Sequence, residues 1–318
     1  MNSKKILILG SGFMSREYVR VLSDMEHEVT VVGRGANNIE KLKADFPQFN
    51  YHTGGLEDFL QKNKEKFDYA INAVNVPFLK ETTISLIKIG VKQILLEKPG
   101  DLYTKGLEEL KKCADQYGAK ISIAYNRRFY TSLNTLLQEA ESDGGVQSVH
   151  FEFTEWVHTI SPEKYDAESL KKWIISNSSH VIDTAFAITG IPSEIHAVVR
   201  GKDQISWHPS GSLFTGSGIG KNDIPFTYHS NWGSAGRWAI EVLTEKRRFY
   251  LKPMEKLQVQ MKDSVDIEEF PIEDDLDQKY KAGVCLQILA FINHSNSSLL
   301  SIEEQIESIS FYDKIGGY

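Results

Sequence analysis

The 318-residue chain is 41% hydrophobic and 25% charged, the composition of a folded globular protein, and its length exceeds what one hydrophobic core usually serves, so two domains are expected. With 43 acidic against 36 basic residues the net charge is −7, which argues against nucleic acid or an anionic membrane as the main partner but leaves room for a small anionic ligand. Cys113 and Cys285 offer neither a zinc spacing nor a disulfide framework, and no apolar run is long enough to span a bilayer. No metal and a cytoplasmic setting are therefore expected; the apolar run after Lys4 and Lys5 is cut short of a signal-peptide core by glycines and Arg16.

Ile6 to Leu9 reads as a short buried strand, followed at once by Gly10-Ser11-Gly12-Phe13-Met14-Ser15 and a helix bearing Tyr18, Val19, Val21 and Leu22. In that strand-to-helix context Gly10 permits a tight turn and Gly12 lets a pyrophosphate approach the helix amino terminus, with Ser15 in the place of a third glycine. Gly10, Ser11, Gly12, Phe13 and Met14 are thus candidates for dinucleotide binding. Glu28 to Val32 is a second strand ending in Gly33-Arg34-Gly35. An acidic residue at that tip would hold the ribose hydroxyls of NAD; Gly33 leaves space there and Arg34 can pair with a 2′-phosphate, so NADP is favoured, with NAD as the alternative cofactor.

The alternation continues with a helix capped by Asn37 or Asn38, a strand from Phe49 to Thr53, a helix from Leu56 to Asn63 and a strand from Tyr69 to Ala73. Asn75 and Pro77 then stand at a strand end beside the expected nicotinamide ribose. After a helix to Ile89 comes Ile94-Leu95-Leu96-Glu97-Lys98-Pro99, a buried parallel strand that Pro99 stops, leaving Lys98 at the carboxyl edge of the sheet, where open α/β folds bind ligands. A helix from Tyr103 to Tyr117 and a strand from Lys120 to Ala124 complete six strands alternating with helices, which specify a doubly wound parallel sheet over residues 1–124.

Gly10-Ser11-Gly12, the Asn75 and Pro77 turn, Glu97-Lys98-Pro99 and Tyr125-Asn126-Arg127-Arg128-Phe129 together resemble the Gfo/Idh/MocA oxidoreductases, the glucose-fructose oxidoreductase and inositol dehydrogenase group. The resemblance covers the first domain well and the second more loosely. It implies a cis Lys98-Pro99 bond and a second domain built on a large open sheet whose free face often makes a dimer.

From Val149 onward the period changes to two: Val149, Phe151, Phe153 and Glu155 alternate with His150, Glu152, Thr154 and Trp156. Strand-like runs recur from Glu194, Ser212, Ile224, Arg237, Arg247 and Lys256, so residues 125–318 are expected to form an α+β domain with a large, mostly antiparallel open sheet. Between the first two of these strands, Trp173 to His180 opens a helix running to Thr189. The family usually carries an aspartate four residues before a histidine here, the histidine sharing proton transfer with the motif lysine; His180 matches, but Ser176 stands where the aspartate would be. Asp183, one turn later, can orient an imidazole. Trp232 and Trp238 read as core or interface sooner than as a sugar platform.

The expectation is an NAD(P)-dependent dehydrogenase acting on a sugar, sugar nucleotide or polyol, with Lys98 and His180 catalytic, Glu97 steadying the amine or the cofactor ribose, and Arg127, Trp173, Asn177 and His180 facing the substrate. A homodimer or homotetramer through the open sheet face is expected. The alternative is a non-catalytic dinucleotide-binding regulatory or sensor protein of the same fold, which Ser176 would favour.

Overall fold

A computed structural model describes residues 3–293 and 298–318. Two compact units divide the chain, Met1–Tyr125 with Gln278–Ile306, and Asn126–Asp277 with Glu307–Tyr318.

In the first unit six parallel strands alternate with helices: β1 (Lys5–Leu9), α1 (Phe13–Leu22), β2 (Glu28–Val32), α2 (Ala36–Asp45), β3 (Asn50–His52), α3 (Gly55–Lys62), β4 (Tyr69–Asn72), α4 (Leu79–Lys88), β5 (Gln93–Glu97), α5 (Thr104–Tyr117) and β6 (Lys120–Ala124). Their order across the sheet is β6-β5-β4-β1-β2-β3, so the chain reverses direction of travel beside β1, and a two-residue strand, Leu300–Ser301, adds antiparallel to β6. The doubly wound reading holds because β1 and β5 are continuous apolar runs needing cover on both faces; Ile6, Leu7, Ile8, Ile94, Leu95 and Leu96 are all fully buried.

A continuous division at 124/125 does not describe the chain, since residues 278–306 return to the first unit. The helix Val284–Asn293 is the cause. It buries Val284, Ile288, Phe291 and Ile292 in one cluster with Tyr18, Val21 and Leu22 of α1, and Tyr69 donates its hydroxyl to the Ile292 carbonyl at 2.9 Å. The next helix opens on a capping box, Ser301 and Glu304 each receiving a backbone N–H from the other. The cap expected at Asn37 or Asn38 does not form: α2 starts two or three residues earlier, with Gly35 as its N-cap and no side-chain hydrogen bond.

The second unit opens with α6 (Thr131–Ser142) and β7 (Ser148–Glu152), then α7 (Ala167–Lys171) and α8 (Ser179–Thr189), then β8 (Pro192–Arg200), β9 (Leu213–Gly220), β10 (Pro225–Asn231), β11 (Ala239–Leu243), β12 (Arg247–Leu251), β13 (Leu257–Met261) and β14 (Glu268–Phe270). These strands form one eight-stranded sheet, antiparallel except where β7 runs parallel to β10. One face is aromatic and covered: Phe151 stacks on Tyr228 at 5.4 Å, and Phe186 of α8 meets Phe226 at 5.9 Å. The other carries His150, Thr227 and Glu241, as the period-two reading of β7 and β10 requires. The helix expected from Trp173 to Thr189 is interrupted, Ile174–Ser178 forming one π-helical turn before α8.

Candidate functional site

At the carboxyl ends of β1, β2, β3 and β4 lies a cavity of about 720 Å³ lined by Gly10, Ser11, Gly12, Gly33, Arg34 and Asn75 among others. Gly10 has φ +118°, and a Cβ there would stand 2.5 Å from the Ala73 carbonyl oxygen, so only glycine lets the turn pass that close to the end of β4. Gly12, the N-cap of α1, faces open space, and no side chain caps that helix or places an acid in its first turn. Free backbone donors and an uncompensated positive helix end therefore point into the cavity, the arrangement a pyrophosphate needs. Ser15 is fully buried 2.8 Å from where a Gly10 Cβ would stand, which is why a small residue serves as well as glycine.

Gly33 is equally crowded: a Cβ would meet Ser11 Oγ at 2.7 Å. Arg34 beside it is exposed, makes no ion pair among the described residues, and lies with its guanidinium 4.4 Å from the centre of the Phe78 ring. Phe78 was not singled out from sequence; it holds the arginine at the cavity wall. Phe13 is the first residue of α1 and is exposed, whereas Met14 packs against the core; Pro77 sits in the turn Val76–Phe78 behind Asn75.

β5 ends on Glu97, so Lys98 is the first residue past the sheet edge, half-buried, with a cis bond to Pro99. Gln305 holds this turn by donating Nε2 to the Pro99 carbonyl at 2.9 Å, a role invisible at 206 positions' separation. Glu97 is buried and accepts the Tyr18 hydroxyl at 2.6 Å. Burial pushes its carboxyl up; Tyr18, Lys98 and Lys281 pull it back down.

The second unit gathers the other candidates around Trp238. The Arg127 guanidinium lies 4.6 Å from its ring centre, Arg237 4.9 Å, and the His180 ring 6.1 Å. Arg237 also donates to Glu155 at 3.1 Å, and Glu155 accepts from Asn177 at 2.9 Å and Ser178 at 2.6 Å. Glu155 is buried, which raises its carboxyl, with Ser178, Arg237 and Asn177 acting against that. Sequence reasoning did not select it, although the signal was present: Glu155 is in phase with Val149, Phe151 and Phe153, the covered side of the strand.

Ser176 turns back toward α7, its hydroxyl donating to the Ser169 carbonyl at 2.8 Å. Asp183 is fully buried and accepts a two-pronged pair from Arg128, at 2.8 Å to each oxygen. Trp173 packs edge-on against Tyr165 at 4.9 Å and Trp207 at 5.4 Å. Trp232 lies in the same aromatic group, 4.6 Å from His208, whereas Trp238 stands with Arg127 and His180. No group of three His, Cys, Asp or Glu among the described residues could hold a metal ion.

A sheet order reversing beside a glycine turn, with an open helix end over it, defines a dinucleotide-binding fold. Residues 4–125 match the Gfo/Idh/MocA model, described as an oxidoreductase family with NAD-binding Rossmann fold. A curated relative, the NADP(+) scyllo-inositol 2-dehydrogenase IolW of Bacillus subtilis, is 24% identical over 205 residues, a match covering 61% of this chain and 54% of the relative, so the chain spans about half that relative's length. Among solved structures, an Agrobacterium radiobacter oxidoreductase in complex with NAD+, L-tartaric acid and magnesium is 14% identical with a TM-score of 0.78, covering 98% of this chain and 95% of that one. The UDP-N-acetylglucosamine 3-dehydrogenase GnnA of Acidithiobacillus ferrooxidans is 14% identical with a TM-score of 0.74, covering 99% and 97%. At such identity these likenesses speak for the fold.

Proposed function

We propose that the protein is an NAD(P)-dependent dehydrogenase or reductase that moves a hydride between nicotinamide and a secondary hydroxyl or keto carbon of a sugar, sugar nucleotide or polyol. The observation that carries this reading is the glycine-walled cavity under the open end of α1, with Lys98 at the end of β5 in the same sheet. A nicotinamide dinucleotide held there supplies the hydride acceptor or donor. Gly12 and the α1 backbone donors would take the pyrophosphate, and Arg34, braced on Phe78, would take a 2′-phosphate, which favours NADP over NAD.

In the oxidative direction the substrate hydroxyl gives up its proton as hydride leaves the same carbon, because a free alkoxide is too costly at neutral pH. Lys98 and His180 are proposed to share that proton. Buried Glu97, bonded to Tyr18, acts from behind on the charge of Lys98. Turnover of NADPH or NADP+ across a panel of sugars, sugar nucleotides and inositols tests the proposal. Lys98→Met is expected to bind cofactor yet lose turnover, and His180→Ala to slow the reaction roughly 10² to 10⁴-fold. Cofactor binding without turnover on any member would favour the non-catalytic sensor reading. We further propose self-association through the uncovered face of the eight-stranded sheet, which light scattering would test.

A further inference from the structure

Arg127 poses a problem that the reading above does not resolve. Its Nε is shut off from solvent with no hydrogen-bond partner, and the guanidinium makes no ion pair among the described residues. What it touches are rings: Trp238 at 4.6 Å and Tyr130 at 5.7 Å. Burial works against its charge, and Arg237 adds to that, while Tyr130, Glu255 and Glu155 favour it. Arginine does not solve this by losing its proton, and a half-buried guanidinium whose Nε has no partner gives up hydration without a bond in return.

Of the neighbouring carboxylates, Glu155 and Asp183 are committed to other arginines. Glu155 is engaged by Asn177, Ser178 and Arg237; Glu255 accepts the Tyr130 hydroxyl at 3.3 Å; Asp183 is held by Arg128. Arg237 pairs with Glu155 and Arg128 with Asp183, whereas no carboxylate forms an ion pair with Arg127 among the described residues, and the exposed Glu255 acts on it only from beyond contact distance. A guanidinium presents a planar fork that matches two oxygens of a carboxylate or phosphate. Trp238 gives that fork an aromatic neighbour and is also 6.1 Å from the His180 ring, so the unmatched cation and the proposed acid-base imidazole share one indole.

We infer that the substrate bears an oxyanion, carboxylate or phosphate, received by Arg127, and is therefore an acidic sugar or polyol derivative sooner than a neutral one. This rests on the oxidoreductase reading for its placement at a substrate site. The shared chemistry of the two oxyanions is what the arginine fork recognises. A neutral inositol or hexose would leave the guanidinium unmatched and forfeit that recognition.

Calorimetric titration of the full chain needs no turnover and tests the inference directly. The probes are D-gluconate, D-glucuronate and D-glucose 6-phosphate against D-glucose and myo-inositol, each with and without bound NADP+. At least one acidic probe should bind roughly 10²-fold more tightly than its neutral counterpart, the usual worth of a desolvated charge-assisted pair, and more weakly as salt is raised. Gluconate and glucuronate in front of the phosphate ester would identify a carboxylate as the source, and the reverse order a phosphate. Arg127→Gln should bring the acid-to-neutral ratio toward one, and Arg127→Lys, which keeps charge without the fork, should restore part of it. Equal affinity for acidic and neutral probes in the wild type, or an undiminished ratio in Arg127→Gln, would overturn the inference. Turnover of neutral polyols with no preference for acids also overturns it while sparing the oxidoreductase reading. Tight, Arg127-dependent binding of an acid with no redox turnover supports the oxyanion site and removes the dehydrogenase.

Discussion

The Tyr18 hydroxyl, on α1, donates to Glu97 Oε1 at the end of β5 across 2.6 Å, and both side chains are buried. The bond joins the helix that starts from the glycine turn to the residue preceding Lys98. Glu97's carboxyl lies above its ordinary value of 4.5 chiefly because it is buried, with the Tyr18 bond opposing. A carboxyl raised on folding contributes stability that is fully present below its unfolded value and is lost as pH rises through the folded one.

Tyr18→Phe removes the donor that eases ionisation of Glu97. The loss should be about 1 to 3 kcal/mol at pH 8, where the carboxylate must be held, and smaller at pH 4.5, where a protonated carboxyl asks for less. Urea unfolding of both proteins at the two pH values reads this; an equal loss at each would mean that the phenol does not serve the charged form.

Arg34 lies against Phe78 at 4.4 Å with no carboxylate partner among the described residues, poised for a phosphate. Arg34→Ala should weaken NADPH binding roughly tenfold or more and NADH binding much less, because only the former offers a second pair of charge-assisted bonds. Fluorescence titration of both cofactors checks it, and identical NADPH affinity in variant and wild type would end the argument for a 2′-phosphate site.

Legibility from sequence followed how local the cause was. β1, β5 and β6 were readable because a strand covered on both faces is a short apolar run, and the cavity was readable because Gly10 and Gly33 answer to crowding at their own positions. Lys98 was placed by the proline that follows it. What stayed hidden depends on chain segments meeting from afar: the return of Val284–Asn293 to α1, Gln305 on the Pro99 carbonyl, and Arg127 reaching Trp238. Ser176 is an intermediate case. Its identity suggested a lost carboxylate, yet its hydroxyl is spent on the Ser169 carbonyl within a π turn that no periodicity announces.

Arg128 and Asp183 form a buried fork across 55 positions, tying the segment Asn126–Phe129 to α8, the helix that carries His180. Breaking either half leaves a charge in the core, so Arg128→Met or Asp183→Leu should cost about 3 to 5 kcal/mol, whereas the two together should recover most of it. Chemical denaturation of the three variants measures the cycle. Additive losses in the double variant would show that the two residues stabilise the unit independently of each other.

His208 supplies the last test, because it connects pH to the π turn through three hydrogen bonds. Its Nδ1 lies 3.0 Å from the Gly211 carbonyl, which can only accept, so Nδ1 carries the proton and Nε2 accepts the Tyr318 hydroxyl at 2.6 Å. The Tyr318 oxygen in turn accepts the Ile174 backbone N–H at 3.2 Å, at the start of the turn that sets Asn177 and, next to it in α8, His180. Trp207, Phe214 and Trp232 enclose the imidazole, and this burial lowers it from 6.5 to about 4. A histidine kept neutral by folding contributes stability that is whole above pH 6.5 and drains away as pH falls toward 4, on the order of 3 kcal/mol. Wild-type unfolding free energy should therefore drop between pH 7.5 and 4.5 by more than that of His208→Gln, which starts lower but has no imidazole to protonate. Protonation also removes the acceptor for Tyr318, so Tyr318→Phe should lose the same connection at every pH and slow any His180-dependent step without moving cofactor affinity. Parallel acid slopes in wild type and His208→Gln would show that this imidazole does not govern the acid limb.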